Sequence, residues 1–588
     1  MICTICERRC TILENGIGKC SRYACKDNEI VELFPDSYLV VAPISAETMP
    51  VLHFHPRAKF LQISTTGCNF DCSGCISTMV AKTMDANSKA LKKLSPTQII
   101  MKAIELNCDG IAFLMNDPLA SFYTFLEICK QAKKHGLLTG CSTNGYFTPQ
   151  SLGELSPYLD FVNIGLKGLS NDVYQSCGAS SYKPVLRNIQ LFIDAGIHVE
   201  VACIHKKGDD DNVLAIADTI AAISKEIPLQ IMRFVPIDDA DISLEPSIKE
   251  SEQLYIKLRE KLDYVYLFNS PGTDCLNTYC PSCNSLIFVR DFYGPMGSKL
   301  RDIRLDMKGK ACQNCGHILN IKGAPAQRIF DEDGFEGGYP LTRALEIVEG
   351  TLAAIGVRDQ KSVSGVWEEI LFGTELKKLH LNIQNFEDYA KTIHHFGTLS
   401  QQTHGAERLL TYMREKIALI TQGLSYIQSK PRVYYVMGKP LFALEEDRLE
   451  NQLVEMAGGI SLNKGLVSQG RPGMRISEET LNDLNPDVIF ISSFMDCPID
   501  EFYEFCEHHH IDVEATINKK IYGHLAPCFD FGSPRWILGL MHIANMLHPT
   551  IYHFDVQSEA EFFYKTFYDT TFTLSTLNRS FAKPNRHY

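Results

Sequence analysis

Three cysteines, Cys68, Cys72 and Cys75, stand at spacings of four and then three residues in one short segment. Three thiolates on a tight loop can bind three irons of a 4Fe-4S cubane and leave the fourth iron open. S-adenosylmethionine (SAM) can chelate that iron, so that one electron breaks a carbon–sulfur bond and releases a 5'-deoxyadenosyl radical. A zinc knuckle or a chance spacing is the alternative, but zinc would need a further ligand from elsewhere. The spacing therefore favours a cluster that cleaves SAM.

Four further cysteines form two pairs, Cys280 with Cys283 and Cys312 with Cys315. Two such knuckles can close a tetrahedral thiolate site, which is the pattern of a zinc ribbon. Four cysteines leave no open coordination position, so we expect a structural zinc. An iron site that relays electrons is the less favoured alternative.

The chain opens with a third group, Cys3, Cys6, Cys10 and Cys20, with Cys25 as a spare. A structural metal such as zinc and an auxiliary iron–sulfur cluster that delivers electrons both fit this group, because spacing alone does not distinguish zinc from iron. Most other cysteines stand singly among apolar residues and are interpreted as buried, unreactive thiols. Examples are Cys108, Cys129, Cys203 and Cys506.

The composition limits the partners of the chain. Its 588 residues exceed what one hydrophobic core normally organises, which predicts two large domains with small metal-stabilised modules. A formal net charge of −13 without a basic stripe argues against nucleic acid. Residues 1–10 lack a secretory signal, and no apolar run approaches the roughly 20 residues of a membrane-spanning helix. We therefore expect a cytoplasmic protein with neither a membrane nor a nucleic-acid partner.

The elements that must position these cysteines follow an α/β pattern. Between residues 59 and 268, short β-rich runs alternate with amphipathic helical segments, as in a parallel sheet wrapped by helices. Ser95-Pro96 has the chemistry of a helix start and Gly136 that of a helix end. We expect a complete or partial βα barrel. The predicted strands are 60–64, 110–115, 137–141, 161–164, 198–204, 230–234 and 264–268.

Polar residues recur where the predicted strands end. Each alone would be explained as a turn or cap residue, but their recurrence favours a shared site. In a βα barrel the carboxyl ends of the strands meet at one face, so we expect a cleft around Cys68. The set consists of Thr65, Thr66, Asn116, Asp117, Thr143, Asn144, Lys167, His205 and Arg233.

A second α/β region begins near residue 328. Residues 405–429 predict one long amphipathic helix, which is followed by a strand at 432–437. A helix that ends at Ala457-Gly458-Gly459 and a strand at 488–491 come next. This order predicts a separate domain.

Residues 59–323 resemble radical SAM proteins of the pyruvate formate-lyase activating enzyme type, and especially their AmmeMemoRadiSam branch. Besides the cysteine loop, the resemblance rests on residues 110–118, 142–146 and 164–168, and on Tyr279 to Cys283 with Cys312 to Gly316. In that family a strand end like Asn116-Asp117-Pro118 helps to hold the SAM amino group. The SAM-binding residues predicted from the resemblance and the strand ends are Asn116, Asp117, Thr143, Asn144, Lys167 and His205.

Three positions depart from the family pattern. Gly74 replaces an aromatic residue that packs against SAM, while Ser142 and Gly165 replace two acidic residues. The loss of two carboxylates changes the electric field around the radical and any cation site there. The substrate of the family is therefore not carried over to this chain.

Beyond residue 328 the chain resembles the cobalamin and iron-chelate binding proteins of ABC importers. The segments that carry the resemblance are 432–436, 455–459, 484–489 and 547–549. Those proteins have two α/β lobes joined by a rigid helix, with the ligand between the lobes, so a ligand cleft is implied here. Residue type alone favours Tyr435, Arg471, Arg475, Arg535 and Trp536 as cleft residues, with ordinary surface or core positions as the alternative.

These patterns predict four parts. They are a cysteine-rich module at 1–30, a radical SAM barrel at 31–270, a zinc-ribbon-like module at 271–325 and a two-lobed domain like a periplasmic binding protein at 326–588. The predicted function is radical SAM chemistry on a small molecule or metallocofactor, such as a metal chelate or tetrapyrrole, held by the C-terminal domain. A low-potential flavodoxin or ferredoxin would supply the electron.

Two alternatives to this function stay open. One is a glycyl-radical activase, which would need a protein substrate whose glycine reaches the barrel mouth. The other is a metal-chelate binding or trafficking protein in which the barrel is a vestigial scaffold. A binding protein would produce no 5'-deoxyadenosine, so SAM cleavage separates it from the enzyme.

Overall fold

The computed structural model describes residues 1–236, 241–306, 309–332, 338–372, 379, 382–467 and 472–572. The chain divides into two compact units. The first consists of Met1–Phe234, Ser251–Phe268 and Asp274–Pro340. The second consists of Val235–Glu250, Asn269–Thr273 and Leu341–Tyr588. All three groups of ligand-like cysteines belong to the first unit.

The first unit is built on an eight-stranded, mostly parallel sheet. The edge strand Val40–Ser45 pairs antiparallel with its neighbour and was not predicted, because Pro43 interrupts its pattern. Proline is tolerated at a sheet edge, where one side of the backbone makes no ladder bonds. The described pairings do not close the sheet into a barrel. The other seven strands are parallel, lie in sequence order and match the predicted ones: Lys59–Ser64, Gly110–Phe113, Leu138–Thr143, Phe161–Gly165, His198–His205, Leu229–Arg233 and Val265–Phe268.

Helices connect the successive parallel strands. The Ser95 hydroxyl accepts from the Gln98 backbone N–H at 3.3 Å, and the Gln98 side chain accepts from the Ser95 N–H at 2.8 Å. This capping box and the left-handed Gly136, at φ +71°, confirm the predicted helix start and end. The α-helices are Pro96–Glu105, Phe122–Lys134, Pro149–Leu155, Asn171–Ser176, Lys183–Asp194, Asp210–Ile223 and Ile248–Arg259, with 3-10 turns at Pro118–Ser121, Ser156–Tyr158 and Ile242–Leu244 and a π-turn at Met79–Thr83.

Apolar side chains from one face of the sheet pack against the helices and form the main core of this unit. Ile111, Val162 and Val201 from the strands meet Phe125 and Ile189 from the helices, and all are fully buried. Three small antiparallel sheets flank this core. They are Tyr23–Lys26 with Glu29–Glu32, Ser37–Tyr38 with Lys92–Lys93, and Thr278–Tyr279 with Leu286–Phe292 and Ser298–Ile303.

The second unit contains a six-stranded mixed sheet. Its central strands Arg432–Val436 and Val488–Ile491 match the two predicted strands and pair parallel to each other, and the long predicted helix is Thr403–Leu424. The remaining strands are Phe442–Leu444, Ile460–Ser461, Gly473–Arg475 and Ile521–Tyr522. The remaining helices of the C-terminal region are Gly338–Ala354, Gln360–Phe372, Phe386–Leu399, Leu449–Met456, Glu478–Leu484, Ile499–His508, Glu514–Ile517, Trp536–Leu547 and Val556–Phe563, with a π-turn at Tyr564–Tyr568.

None of the described helices combines the length and the apolar character that crossing a bilayer requires.

Candidate functional site

The three-cysteine loop leaves the sheet at the carboxyl end of strand Lys59–Ser64. Cys68, Cys72 and Cys75 are all partly exposed, unlike the buried single cysteines of the core. Gly67 begins the loop at φ +83°, and a Cβ there would stand 3.0 Å from the Arg22 side chain. Both the left-handed backbone and the close approach require glycine. The loop is therefore shaped by its surroundings.

Asn116 fixes the start of this loop. Its side-chain amide donates to the Gly67 carbonyl and to the Thr65 hydroxyl, both at 2.9 Å. Its side-chain oxygen accepts from the Ser64 hydroxyl and the Thr65 N–H, both at 3.1 Å. Two donated and two accepted hydrogen bonds use the full capacity of an asparagine side chain. Asn116 thus holds the loop through its side chain.

Asp117 links the neighbouring strand ends. Its carboxylate accepts from the Asn144 N–H at 2.6 Å, the Thr143 hydroxyl at 3.0 Å and the Leu119 N–H at 3.0 Å. The Asn144 side chain in turn donates to the Asn69 side-chain oxygen at 2.7 Å, inside the cysteine loop. The predicted residues Asn116, Asp117, Thr143 and Asn144 do lie together, as a network that supports the loop.

The buried carboxyl of Asp117 predicts a pH-dependent stability. Burial raises its pKa from 3.8 to about 6, although three N–H and O–H donors oppose the shift. The folded chain holds this proton more tightly than the unfolded chain, so the contribution to the free energy of unfolding is present below about pH 4 and is lost as the pH rises to about 6. We expect wild type to lose roughly 2–3 kcal/mol relative to Asp117→Asn across that range. Urea unfolding as a function of pH measures this, and a pH-independent difference would contradict it.

Cys177 lies beside the loop, although its sequence position gives no sign of it. Its carbonyl accepts from the Asp71 N–H at 2.9 Å. A hydrogen bond from its thiol, with help from the nearby ammonium groups of Lys167 and Lys82, lowers the pKa of Cys72 to about 6. Lys82 is itself held by Asp71 at 2.8 Å. The surroundings of the loop therefore favour the thiolate of Cys72.

Lys167 brings a positive charge to the same thiols. Burial lowers the pKa of its ammonium, but the nearby thiols of Cys72, Cys177 and Cys75 outweigh burial and the net pKa is raised. A Cβ added at Gly165 would lie 3.2 Å from Lys167 Nζ. The ammonium thus lies beside Gly165, where the family that the sequence resembles carries an acidic residue.

His205 is committed to internal contacts. Its ring nitrogens lie 3.0 Å from the Ser251 hydroxyl and 3.0 Å from a carboxylate oxygen of Asp210, and the side chain is 1% exposed. These contacts explain His205 as a structural residue. Its role in SAM binding stays a prediction.

The cysteines of the two knuckles meet with the spacing of a metal site. Cys280 Sγ lies 3.6 Å from Cys315 Sγ, and Cys283 Sγ lies 3.7 Å from Cys312 Sγ. Zinc–sulfur bonds of about 2.3 Å in a tetrahedron place the sulfurs about 3.8 Å apart. In the described part of the chain, this is the one group of three or more His, Cys, Asp or Glu residues with all ligand atoms within 4.8 Å of one another. The donor set and the distances fit a tetrahedral metal ion.

The N-terminal cysteines line a single pocket next to the three-cysteine loop. Cys3, Cys6, Cys10 and Cys20 all contribute to its wall, together with Asn69 of the loop. The spare, Cys25, is absent from this wall and contacts the Glu14 carboxylate at 3.4 Å. The four predicted ligands are therefore brought together.

The second unit holds a buried polar network at Tyr435. The Tyr435 hydroxyl lies 2.5 Å from His524 Nε2 and 3.0 Å from an Asp530 carboxylate oxygen. The Ser493 N–H donates to the same carboxylate oxygen at 3.0 Å. The side chains of Tyr435, His524 and Asp530 are all buried. Sequence patterns did not single out His524 or Asp530.

The other predicted cleft residues do not gather at one surface. Arg535 pairs with Glu346 and is 2% exposed, and Trp536 packs edge-on against Tyr389 with ring centroids 5.6 Å apart. Both are core residues of the second unit. An ordinary core position was the alternative to a cleft position for these residues. Arg475 is exposed on strand Gly473–Arg475, and Arg471 lies outside the described residues.

One protein family and one relative are similar to parts of this chain. The Radical SAM superfamily model matches residues 63–220. An uncharacterized protein of Methanocaldococcus jannaschii is 29% identical over 330 residues, which are 54% of this chain and 95% of that protein.

Among solved structures, periplasmic binding proteins are similar to part of the chain. A solute-binding protein of Veillonella parvula is 22% identical with a TM-score of 0.30, over 33% of this chain and 60% of its own. Nickel-bound CeuE of Helicobacter pylori is 21% identical with a TM-score of 0.28, over 32% of this chain and 60% of that protein. The chain thus spans about three fifths of these binding proteins. By the family match, residues 63–220 of this chain form a radical SAM domain.

Proposed function

We propose that the chain is an enzyme that cleaves SAM reductively at a 4Fe-4S cluster bound by Cys68, Cys72 and Cys75. The observation that carries the proposal is the loop itself, with three partly exposed cysteines at the carboxyl end of the first parallel strand of a radical SAM domain. The bound cluster would supply one electron to SAM and so generate a 5'-deoxyadenosyl radical. That radical would abstract hydrogen from a second substrate.

The protein residues have two roles in this proposal. Asn116, Asp117 and Asn144 hold the loop rigid, because each is tied into hydrogen bonds between strand ends and loop. Lys167 is the member of the predicted SAM set whose ammonium lies among the cluster thiols. Its positive charge suits the carboxylate of a SAM molecule bound at the open iron.

The second substrate is proposed to bind the C-terminal domain. The resemblance to cobalamin and iron-chelate binding proteins supports a metal chelate, a tetrapyrrole or another metallocofactor. The buried Tyr435, His524 and Asp530 network is the candidate polar site there. A flavodoxin or ferredoxin of low potential is the proposed electron donor.

SAM cleavage tests the proposal. The protein is reconstituted anaerobically with iron and sulfide, reduced with dithionite and mixed with SAM, and 5'-deoxyadenosine is quantified. We expect wild type and Cys203→Ala to form it, because Cys203 is a buried strand cysteine outside the loop. We expect Cys72→Ala to fall to the level of a protein-free control, since the cluster loses a ligand.

The opposite result would change the assignment. If wild type carries a loaded cluster at the loop and still forms no 5'-deoxyadenosine, the enzyme proposal fails. Chelate binding by the C-terminal domain would then become the function to examine.

A further inference from the structure

We propose that Cys3, Cys6, Cys10 and Cys20 bind a second iron–sulfur cluster, directly beside the loop of Cys68. The inference goes beyond SAM cleavage, because it assigns a separate cofactor to the N-terminal module. Sequence spacing left zinc and iron–sulfur open for these four cysteines. Three structural features decide between them.

The first feature is the pocket that the four cysteines share. Cys3 and Cys6 are buried and Cys10 and Cys20 are partly buried, around one space whose remaining wall is mainly apolar but includes Arg8. Four thiols with apolar walls are the usual surroundings of a cubane cluster. The apolar wall consists of Ile5, Ile12, Tyr23 and Leu119.

The second feature is the distance between the sulfurs. In a mononuclear zinc site all four sulfurs bind one ion and stand close together, as Cys280 and Cys315 do at 3.6 Å. Across the described residues, no three of the N-terminal cysteines bring their sulfurs within 4.8 Å of one another. In a cubane each thiolate binds a different iron, so the sulfurs stand further apart. The sulfurs of Cys68, Cys72 and Cys75 likewise do not all lie within 4.8 Å of one another.

The third feature is the side chain of Asn69, a residue that lines this pocket. Its oxygen accepts from Asn144 at 2.7 Å, and its backbone carbonyl accepts from Arg8 at 2.6 Å. Its side-chain nitrogen has no hydrogen-bond partner, although the residue is only 1% exposed. An unpaired buried N–H donor is costly and calls for an acceptor. The sulfurs of an iron–sulfur cluster accept such hydrogen bonds.

Asn69 also shows how close together the two cluster sites lie. It follows Cys68 directly in the chain and lines the N-terminal pocket, so a single residue separates the two sites. The module is fixed to this side of the sheet, since the Glu7 N–H donates to the Tyr146 carbonyl at 3.0 Å and its carboxylate pairs with Arg187 at 3.0 Å. The two clusters would therefore interact magnetically when both are reduced.

Metal content tests the inference without any enzyme assay. The full chain is reconstituted anaerobically, and iron, acid-labile sulfide and zinc are measured per chain. We expect about eight irons in wild type and about four in a variant with Cys68, Cys72 and Cys75 all changed to Ala. After one-electron reduction by dithionite, that variant should show the electron paramagnetic resonance signal of a single cluster.

Two further variants identify the ligands. In the otherwise native chain, Cys6→Ser with Cys20→Ser should halve the iron and sulfide and remove the signal broadening that two adjacent clusters cause. Cys25→Ser changes a buried cysteine of the same module and should retain the full iron and sulfide content and the signal broadening. A zinc ion without sulfide at the N-terminal site would overturn the inference, and so would iron that is unchanged in the double variant. Failure of SAM cleavage alone would leave it standing.

Discussion

Changing Cys280 and Cys312 together to Ser should abolish metal binding at the two knuckles and unfold the three-stranded sheet around them. The apolar cluster that accompanies these cysteines is small, with Ile287, Phe288 and Leu300 among its few members. A core of this size does not stabilise a module by itself, so the metal must supply much of the stability. Structural zinc sites contribute roughly 10–16 kcal/mol of apparent binding free energy in isolated finger peptides.

Zinc content, limited proteolysis and thermal unfolding measure this effect. We expect wild type to hold one zinc per chain, and the double variant to hold none and to be cleaved within residues 278–319. Cys275→Ala serves as the control, because this buried cysteine lies close by in sequence but outside the metal group. A double variant that keeps its protease resistance would show that the sheet does not depend on the metal.

The buried ion pair of Lys299 and Glu332 predicts the second large effect. The two side chains are 1% and 4% exposed, and Lys299 also donates to the Phe330 carbonyl at 2.7 Å and to the Ser45 hydroxyl at 2.9 Å. Burial lowers the pKa of the Lys299 ammonium despite its partner. Glu332→Gln would remove the direct partner of this buried charge and leave only the weaker attraction of Asp331 and Glu47, so we expect the free energy of unfolding to fall by about 3–5 kcal/mol.

Chemical denaturation measures the loss, and two variants control it. Asp218→Asn removes the exposed partner of Lys261 and should change stability little, because solvent screens surface pairs. Lys299→Met combined with Glu332→Leu should recover most of the loss, since no unpaired charge remains. If Glu332→Gln unfolds at the same denaturant concentration as wild type, the pair does not hold this part of the unit.

Local sequence patterns identified much of the fold and the cysteine sites. All seven predicted parallel strands are present, because alternating hydrophobic runs and helix caps depend on residues close together in sequence. Ligand spacing within a loop is equally local, so the three cysteine groups were found without coordinates. The strand Val40–Ser45 was missed because Pro43 is permitted only by its edge position.

Only the tertiary structure decided which residues from distant segments meet. It brings Cys177 to Cys72 and Asn69 to the N-terminal pocket, and it buries Arg535 among core residues where a cleft had been predicted. The sequence by itself determined the type and local spacing of the ligands and the order of strands and helices, since both are short-range properties. Partner choice, burial and the distances between sulfurs depend on long-range packing, which no local pattern records.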